Sequence, residues 1–358
     1  MTDENTHIAH APATLSVLAG AIQQYAWGRL DAFTTWAPQA PAGVHAEMWF
    51  GAHPNGPSPV LAGPVADPSQ TPLLVKLLAA ASPLSIQVHP DAEGVRSLSS
   101  SPVTAGLLAD SEVKSEVLIA LEDFDVLAGL RSAVEAAAIL RAGLGQHSAC
   151  ERLEAGDVIG AIRAVLQPAE DGPGFEGALR VDADAMLAQL DEAQRSVMAK
   201  VVHHYRDDAS LPVAFMLQPR TLRPGQAMFV RAGALHAYVD GLGVEVMTSS
   251  DNVLRLGLTP KQIAVDAALT ITKPDLQPVM FDDCANECAV EGIPFSVQRV
   301  THSSIDVAEP GAIALCVTGT IQVEGLDIEV LPGQATLLQE GSLTATTTGD
   351  CYIARPLH

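Results

Sequence analysis

Positive charge is scarce in this 358-residue chain: 20 Lys and Arg face 42 Asp and Glu, a formal net charge of −22. No Lys/Arg-rich block interrupts that excess. A nucleic acid backbone or an anionic lipid surface would repel such a protein, so neither is expected as a partner. A phosphorylated small molecule stays admissible if a few cations gather in one pocket. Cysteine is also sparse: Cys150, Cys284, Cys288, Cys316 and Cys351 are five in number and include no C-x-x-C, which argues against a disulfide scaffold or a zinc ribbon. No apolar run reaches the ~18 residues that a bilayer crossing needs. The opening Met1-Thr2-Asp3-Glu4-Asn5 lacks the basic and apolar regions of a secretory signal, which predicts a cytoplasmic protein. No repeat of fixed period is visible.

Apolar residues are plentiful. They make up 48% of the chain against 17% charged, enough for a large core and inconsistent with disorder or a coiled coil. At roughly 150 residues per domain the length predicts two or three units. From Leu15 to about Ile86, Pro and Gly punctuate short apolar pieces, as in Gly51-Ala52-His53-Pro54-Asn55-Gly56-Pro57, which reads as short strands joined by turns. Between about Ala92 and Asp208 the spacing turns helical, over Val134–Leu144, Ala155–Leu166 and Val181–Val202, with Pro168 to Gly177 as a separator. β character returns after Leu211. A last β-rich block runs from about Val279, with strands expected at 313–317, 320–323 and 335–338. Strands this short and evenly spaced predict a sandwich or jelly roll.

Three segments stand out chemically. In Ser85-Ile86-Gln87-Val88-His89-Pro90, strand alternation puts Gln87 and His89 on one face with Ser85, and Ile86 and Val88 on the other. Two metal-capable groups side by side are half of a four-ligand site, although a hydrogen-bonded pair on a half-buried strand reads the same way. In Lys114-Ser115-Glu116 the same alternation pairs an ammonium with a carboxylate at the start of an apolar run, as an ordinary solvated edge also would. His236 sits among apolar residues after a turn, as a core histidine or as a ligand. Asp251, Arg255 and Lys261 then crowd one stretch of a chain with few cations to spare. His203-His204, adjacent in a helical stretch, reads as a surface pair. Glu122-Asp123-Phe124-Asp125 reads as a solvated turn, and Cys284 with Cys288 lacks the partners a metal site needs.

Together, in order, Gln24-Tyr25-Ala26-Trp27-Gly28, Ala46-Glu47-Met48-Trp49-Phe50-Gly51-Ala52-His53-Pro54, Ser85 to Pro90, Lys114-Ser115-Glu116 and the Gly243-to-Lys261 run resemble the type I mannose-6-phosphate isomerases, zinc enzymes of the cupin superfamily. The resemblance implies a mainly β fold with a helical insert: two cupin-like jelly-roll barrels plus an α-helical domain. Residues 1–91 and 211–275 would form the catalytic barrel and 92–210 the insert, whose first residues to about 127 include a catalytic-barrel strand. Residues 276–358 would form the C-terminal barrel. It further implies one zinc ion per chain held by Gln87, His89, Glu116 and His236. Arg255 falls on the position regarded as catalytic, and Lys114 and Asp251 on positions proposed for proton transfer. Ser85, Lys76 and Lys261 fall on phosphate-binding positions, and Trp27, Glu47 and Glu245 on positions lining the pocket. The family's His-Lys-Pro-Glu is replaced here by Val113-Lys114-Ser115-Glu116, so a histidine relay at that point does not apply.

The implied reaction interconverts an aldose and a ketose phosphate, mannose 6-phosphate and fructose 6-phosphate, through an enediol. It moves one proton between C1 and C2 and another between the oxygens. Zinc suits it as a Lewis acid without redox chemistry, and a single carboxylate among the ligands leaves the site about +1 by formal count. Arg255 would supply a fixed donor to the enediolate. Lys114, Asp251 and a metal-bound hydroxide compete as base. A monomer acting on a sugar phosphate is expected. The rival readings are a sugar-phosphate-binding bicupin without catalysis, which has no use for Lys114, Asp251 and Arg255, and an iron-dependent cupin dioxygenase, which Gln87 argues against.

Overall fold

The computed structural model describes residues 13–167, 180–261 and 263–357. The opening pentapeptide and the Pro168–Gly177 separator lie outside them. The described residues are mainly β, in two barrel-like sandwiches with a helical layer against one of them.

The first barrel holds an eleven-stranded sheet in which the 13-residue strand His236–Thr248 is the common member. Its second half pairs with Leu73–Ala80 and Glu116–Ala120. Its first half bends across to pair with Phe124–Leu130 and, at His236, with Gln87 of Ile86–Val88. Alternation sorts the side chains. Val75, Leu77, Val117, Ile119, Val244 and Val246 face the other sandwich, whereas Leu78, Leu118, Phe124, Met228 and Tyr238 fill the barrel interior. Lys76, Glu116 and Glu245 occupy that inward set and are buried. Charged residues in the middle of inward-facing strand positions are costly unless paired, so these mark the functional end of the barrel.

The C-terminal sandwich packs a seven-stranded sheet against a four-stranded one, around Val307, Ala314, Ile321, Leu338, Leu343 and Ile353. The strands expected near 313–317, 320–323 and 335–338 are Ile313–Cys316, Ile321–Val323 and Gln334–Glu340. Two strands of the 1–91 segment, Thr14–Ala19 and Val60–Ala62, pair into this seven-stranded sheet and not into the first barrel. Leu15 and Val17 face its interior while Leu18 faces the first barrel. A strand apolar on both faces is specified as buried, but its sheet is set by pairing that the local sequence does not display.

A single apolar layer joins the two sandwiches, with Val75, Ile119, Phe229 and Val244 from one side meeting Leu18, Phe295, Ile313 and Leu337 from the other. Cys284 and Cys288 are buried within it. The loop before Val44–His45 is wedged here as well: Phe33 is fully buried and the Trp36 indole donates to the Val317 carbonyl at 2.8 Å.

The helical layer comprises, among others, Ala133–Leu144, Ser148–Glu154, Val158–Leu166, Ala183–Leu187 and Glu192–Tyr205. Ser132 and Glu135 form a capping box, and Asp157, Asp182 and Asp191 cap the starts of later helices. Its apolar side covers Ile86, Val88, Leu127 and Leu254. Lys200 pins it to the barrel, 2.6 Å from both Asp125 and Asp240. The turn reading of Glu122 to Asp125 is corrected here: Phe124 and Asp125 begin the Phe124–Leu130 strand and are buried, Phe124 in the barrel interior and Asp125 against Lys200 and Thr221. An acidic flank masked a strand whose charge is neutralised by a helix distant in sequence. His203 and His204 are exposed, as a surface pair should be, although their rings touch edge to face at 5.0 Å.

Candidate metal and substrate site

Three strands bring three ligand-type side chains to one point. His89 follows Ile86–Val88, Glu116 opens Glu116–Ala120 and His236 opens the long strand. Their donor atoms all lie within 4.8 Å of one another and all three residues are buried. Glu116 Oε1 is 2.7 Å from His236 Nε2, and Glu116 Oε2 is 3.3 Å from His89 Nε2. The turn at Gly233 supports this meeting. Its φ of +95° suits glycine, and its N–H donates to the His89 carbonyl at 2.8 Å.

Hydrogen bonding fixes which ring nitrogens face inward. His89 Nδ1 lies 3.0 Å from the Asn252 carbonyl and His236 Nδ1 lies 3.2 Å from the Ala234 carbonyl. A carbonyl only accepts, so each Nδ1 carries its proton outward and each Nε2 is directed at Glu116. His89 Nε2 is buried with no hydrogen-bond partner among the described residues. Burial lowers its imidazole to about 4, so it is neutral near pH 7, as a metal ligand must be.

Glu116 shares the site with Lys114, whose Nζ is 3.2 Å from Oε2, and with Tyr238, whose hydroxyl donates to Oε1 at 3.3 Å. Burial alone would raise the Glu116 carboxyl, but its charged and hydrogen-bonding neighbours, Lys114 foremost, hold it well below the usual carboxylate range. Lys114 and Glu116 are thus a buried pair and not a solvated edge.

One strand further along the sheet, Lys76 stands opposite Glu245 on one side and Trp49 on the other. Its ammonium is 2.8 Å from Glu245 and 3.5 Å from Glu47, and lies 5.3 Å from the Trp49 ring centroid. Glu47 in turn accepts from the Trp49 indole at 2.7 Å. Burial works against the charge on Lys76, but Glu245 and Glu47 outweigh it and hold its pKa well above the ordinary lysine value. Any phosphate contact expected of Lys76 must therefore compete with two carboxylates already in place.

The remaining expected residues are tied less directly to this cluster. Gln87 points away from Ile86 and Val88, which join the helical core, and its backbone pairs with His236 on one side and Arg255 on the other. Arg255 is half-buried and its guanidinium has no hydrogen bond or ion pair among the described residues. Ser85 is half-buried and Lys261 exposed. Asp251 sits at the rim, where its carboxylate accepts from the Asn55 amide at 2.7 Å and lies 3.6 Å from His53 Nε2, separate from Lys114. Trp27 stacks on Tyr25 with centroids 5.7 Å apart.

Sequence reasoning missed five residues here. Tyr238 carries a readable signal, since it shares a face with His236 two positions away. Trp49 and His53 lie inside a quoted motif, but their contacts join distant strands. Tyr25 is raised by burial and by Glu47, with Asp251 adding to the rise against Lys76, which places it in the field of the pocket. Asn252, fully buried, looks like a loop residue in sequence.

Two imidazoles and one carboxylate are a donor set suited to zinc. A formal count over the buried lysines and glutamates of this site, Lys76 and Lys114 against Glu47, Glu116 and Glu245, leaves one negative charge that a cation would offset. Such a centre inside a β-sandwich is that of a cupin-type metalloenzyme. Residues 15–133 match the family model for the phosphomannose isomerase type I catalytic domain. The mannose-6-phosphate isomerase of Escherichia coli K12 is 28% identical to the chain, over 94% of this chain and 98% of that protein. A point mutant of the Salmonella typhimurium phosphomannose isomerase superposes with a TM-score of 0.80 at 25% identity, covering 97% of this chain and all of the other. A zinc-bound mannose 6-phosphate isomerase superposes at 0.78 with the same identity and coverage. Over nearly its whole length the chain is similar to mannose-6-phosphate isomerases, which marks it as an enzyme.

Proposed function

We propose that this enzyme interconverts D-mannose 6-phosphate and D-fructose 6-phosphate, with zinc held by His89, Glu116 and His236 and with Gln87 as fourth ligand. The observation that carries the reading is the convergence of those two imidazoles and one carboxylate beside the Lys114 ammonium. A bound zinc ion supplies Lewis acidity, stabilising negative charge on the two sugar oxygens as the proton moves between C1 and C2.

The chain's own residues divide the rest of the work. Arg255, flanking Gln87 and unpaired among the described residues, places a permanent cation where enediolate charge develops. Lys114 is positioned to hold or pass a proton at the sugar oxygens, while Asp251 at the rim is the second candidate for the carbon-bound proton. Ser85 and Lys261 bind the phosphate, using remote binding energy to place the reacting carbons. Lys76 holds Glu47 and Glu245 in place along the pocket wall, with Trp27 at its mouth. The enzyme is proposed to act as a monomer. The five cysteines carry free thiols, as in a reducing cytoplasm. The test is a coupled assay of mannose 6-phosphate turnover alongside metal analysis of the purified protein. Turnover that requires zinc is expected, and oxygen uptake with iron in its place would reject the reading.

A further inference from the structure

Asn252 is fully buried and every polar atom of its side chain is used. Its Oδ1 accepts from the backbone N–H groups of Ala109 and Asp110, at 2.8 and 3.2 Å. Its Nδ2 donates to the Asp110 carbonyl at 3.0 Å, the Asp110 carboxylate at 2.9 Å and the Glu112 carbonyl at 2.8 Å. The Asp110 carboxylate also accepts from Ser250 Oγ at 2.9 Å and from the Asp251 N–H at 3.0 Å. The stitching continues toward Lys114: Thr248 Oγ1 donates to the Val113 carbonyl at 2.8 Å and accepts from the Ser115 N–H at 3.1 Å. On its other side, the backbone carbonyl of Asn252 receives the His89 Nδ1 proton. One buried amide therefore ties the loop leading into Lys114 and Glu116 to the carbonyl that orients His89 and to the neighbour of Asp251.

We propose that Asn252 is a positioning residue that sets the His89 ring and the Lys114–Glu116 approach as a single unit, so that metal affinity and turnover depend on its side-chain amide. The inference rests on the metal reading of His89, Glu116 and His236. An amide suits this pocket, because its oxygen accepts from two N–H groups while its two N–H bonds are shared among three oxygens. An aspartate of the same shape would turn acceptor oxygens toward Asp110 and the Glu112 carbonyl. Partners that orient metal ligands in this way are worth about 10–100-fold in metal affinity.

The experiment measures zinc affinity by chelator competition, the visible spectrum of the cobalt-substituted protein, and kcat and KM, in wild type, Asn252→Asp, His89→Ala and Leu140→Ala. Leu140→Ala, a helical-core change, is the control for lost stability alone. Asn252→Asp is expected to bind zinc about 10–100-fold more weakly, alter the cobalt spectrum and lower kcat more than it raises KM, with Leu140→Ala unchanged in metal affinity. If Asn252→Asp does not fold, Asp110→Asn takes its place under the same criterion. Wild-type metal affinity and spectrum in the folded variant would overturn the proposal. Zinc binding that survives His89→Ala would instead reject the metal reading beneath it, and so would reject both.

Discussion

Lys76 and Glu245 face each other across paired strands inside the barrel, ammonium to carboxylate at 2.8 Å, with neither residue more than 6% exposed. Removing one partner strands the other. Lys76→Met leaves Glu245 and Glu47 without their cation, and a loss of about 3–5 kcal/mol in stability is expected from denaturant unfolding. A variant of unchanged stability whose KM alone rises would show that Lys76 works chiefly on the phosphate.

Metal removal should silence the enzyme. Dialysis against a chelator is expected to abolish turnover and zinc to restore it, with one ion per chain by elemental analysis. Metal-free protein that keeps full activity would refute the mechanism.

Arg255 has no competing partner among the described residues, so its charge is available to the reaction. Arg255→Ala should lower kcat by about 10²–10³-fold with little change in KM, the signature of a group that acts in the transition state. A change confined to KM would make it a binding residue.

Lys261, exposed beyond the Leu254–Gly257 strand, should matter for capture. Lys261→Ala is expected to raise KM for the phosphorylated sugar about tenfold, equivalent to ~1.4 kcal/mol. An unchanged KM would take it out of the phosphate site.

Tyr238→Phe removes the hydroxyl that donates to Glu116 Oε1. A loss of about 0.5–1.5 kcal/mol in unfolding free energy is expected, together with weaker zinc retention in chelator competition. Retention equal to wild type would show that Glu116 is held without the Tyr238 hydroxyl.

The residues most legible in sequence are those whose environment is local. Gln87 and His89 are separated from Ile86 and Val88 by strand alternation alone, and the structure divides them in that way. Glu116, with Lys114 two positions before it, follows the same rule. Residues whose meaning depends on a distant partner were hidden. Asp125 reads as part of a turn until Lys200 arrives from a helix 75 residues away. Lys76 falls on a phosphate-binding position by resemblance, and its pairing with Glu245 and Glu47 shows only once the flanking strands are placed. Thr14–Ala19 carries the pattern of a buried strand but no mark of which sheet will accept it, because strand pairing is a long-range choice.

That choice has a structural cost. Val75, Ile119 and Phe229 owe their dryness to Leu18, Phe295 and Ile313, which belong to the far sandwich or to its borrowed N-terminal strand. Peeling the last eighty or so residues away would leave the back wall of the reaction chamber wet, and Lys76, Glu116 and Glu245 hang on the strands that form that wall. The distal sandwich is thus the buttress against which the first barrel keeps its shape.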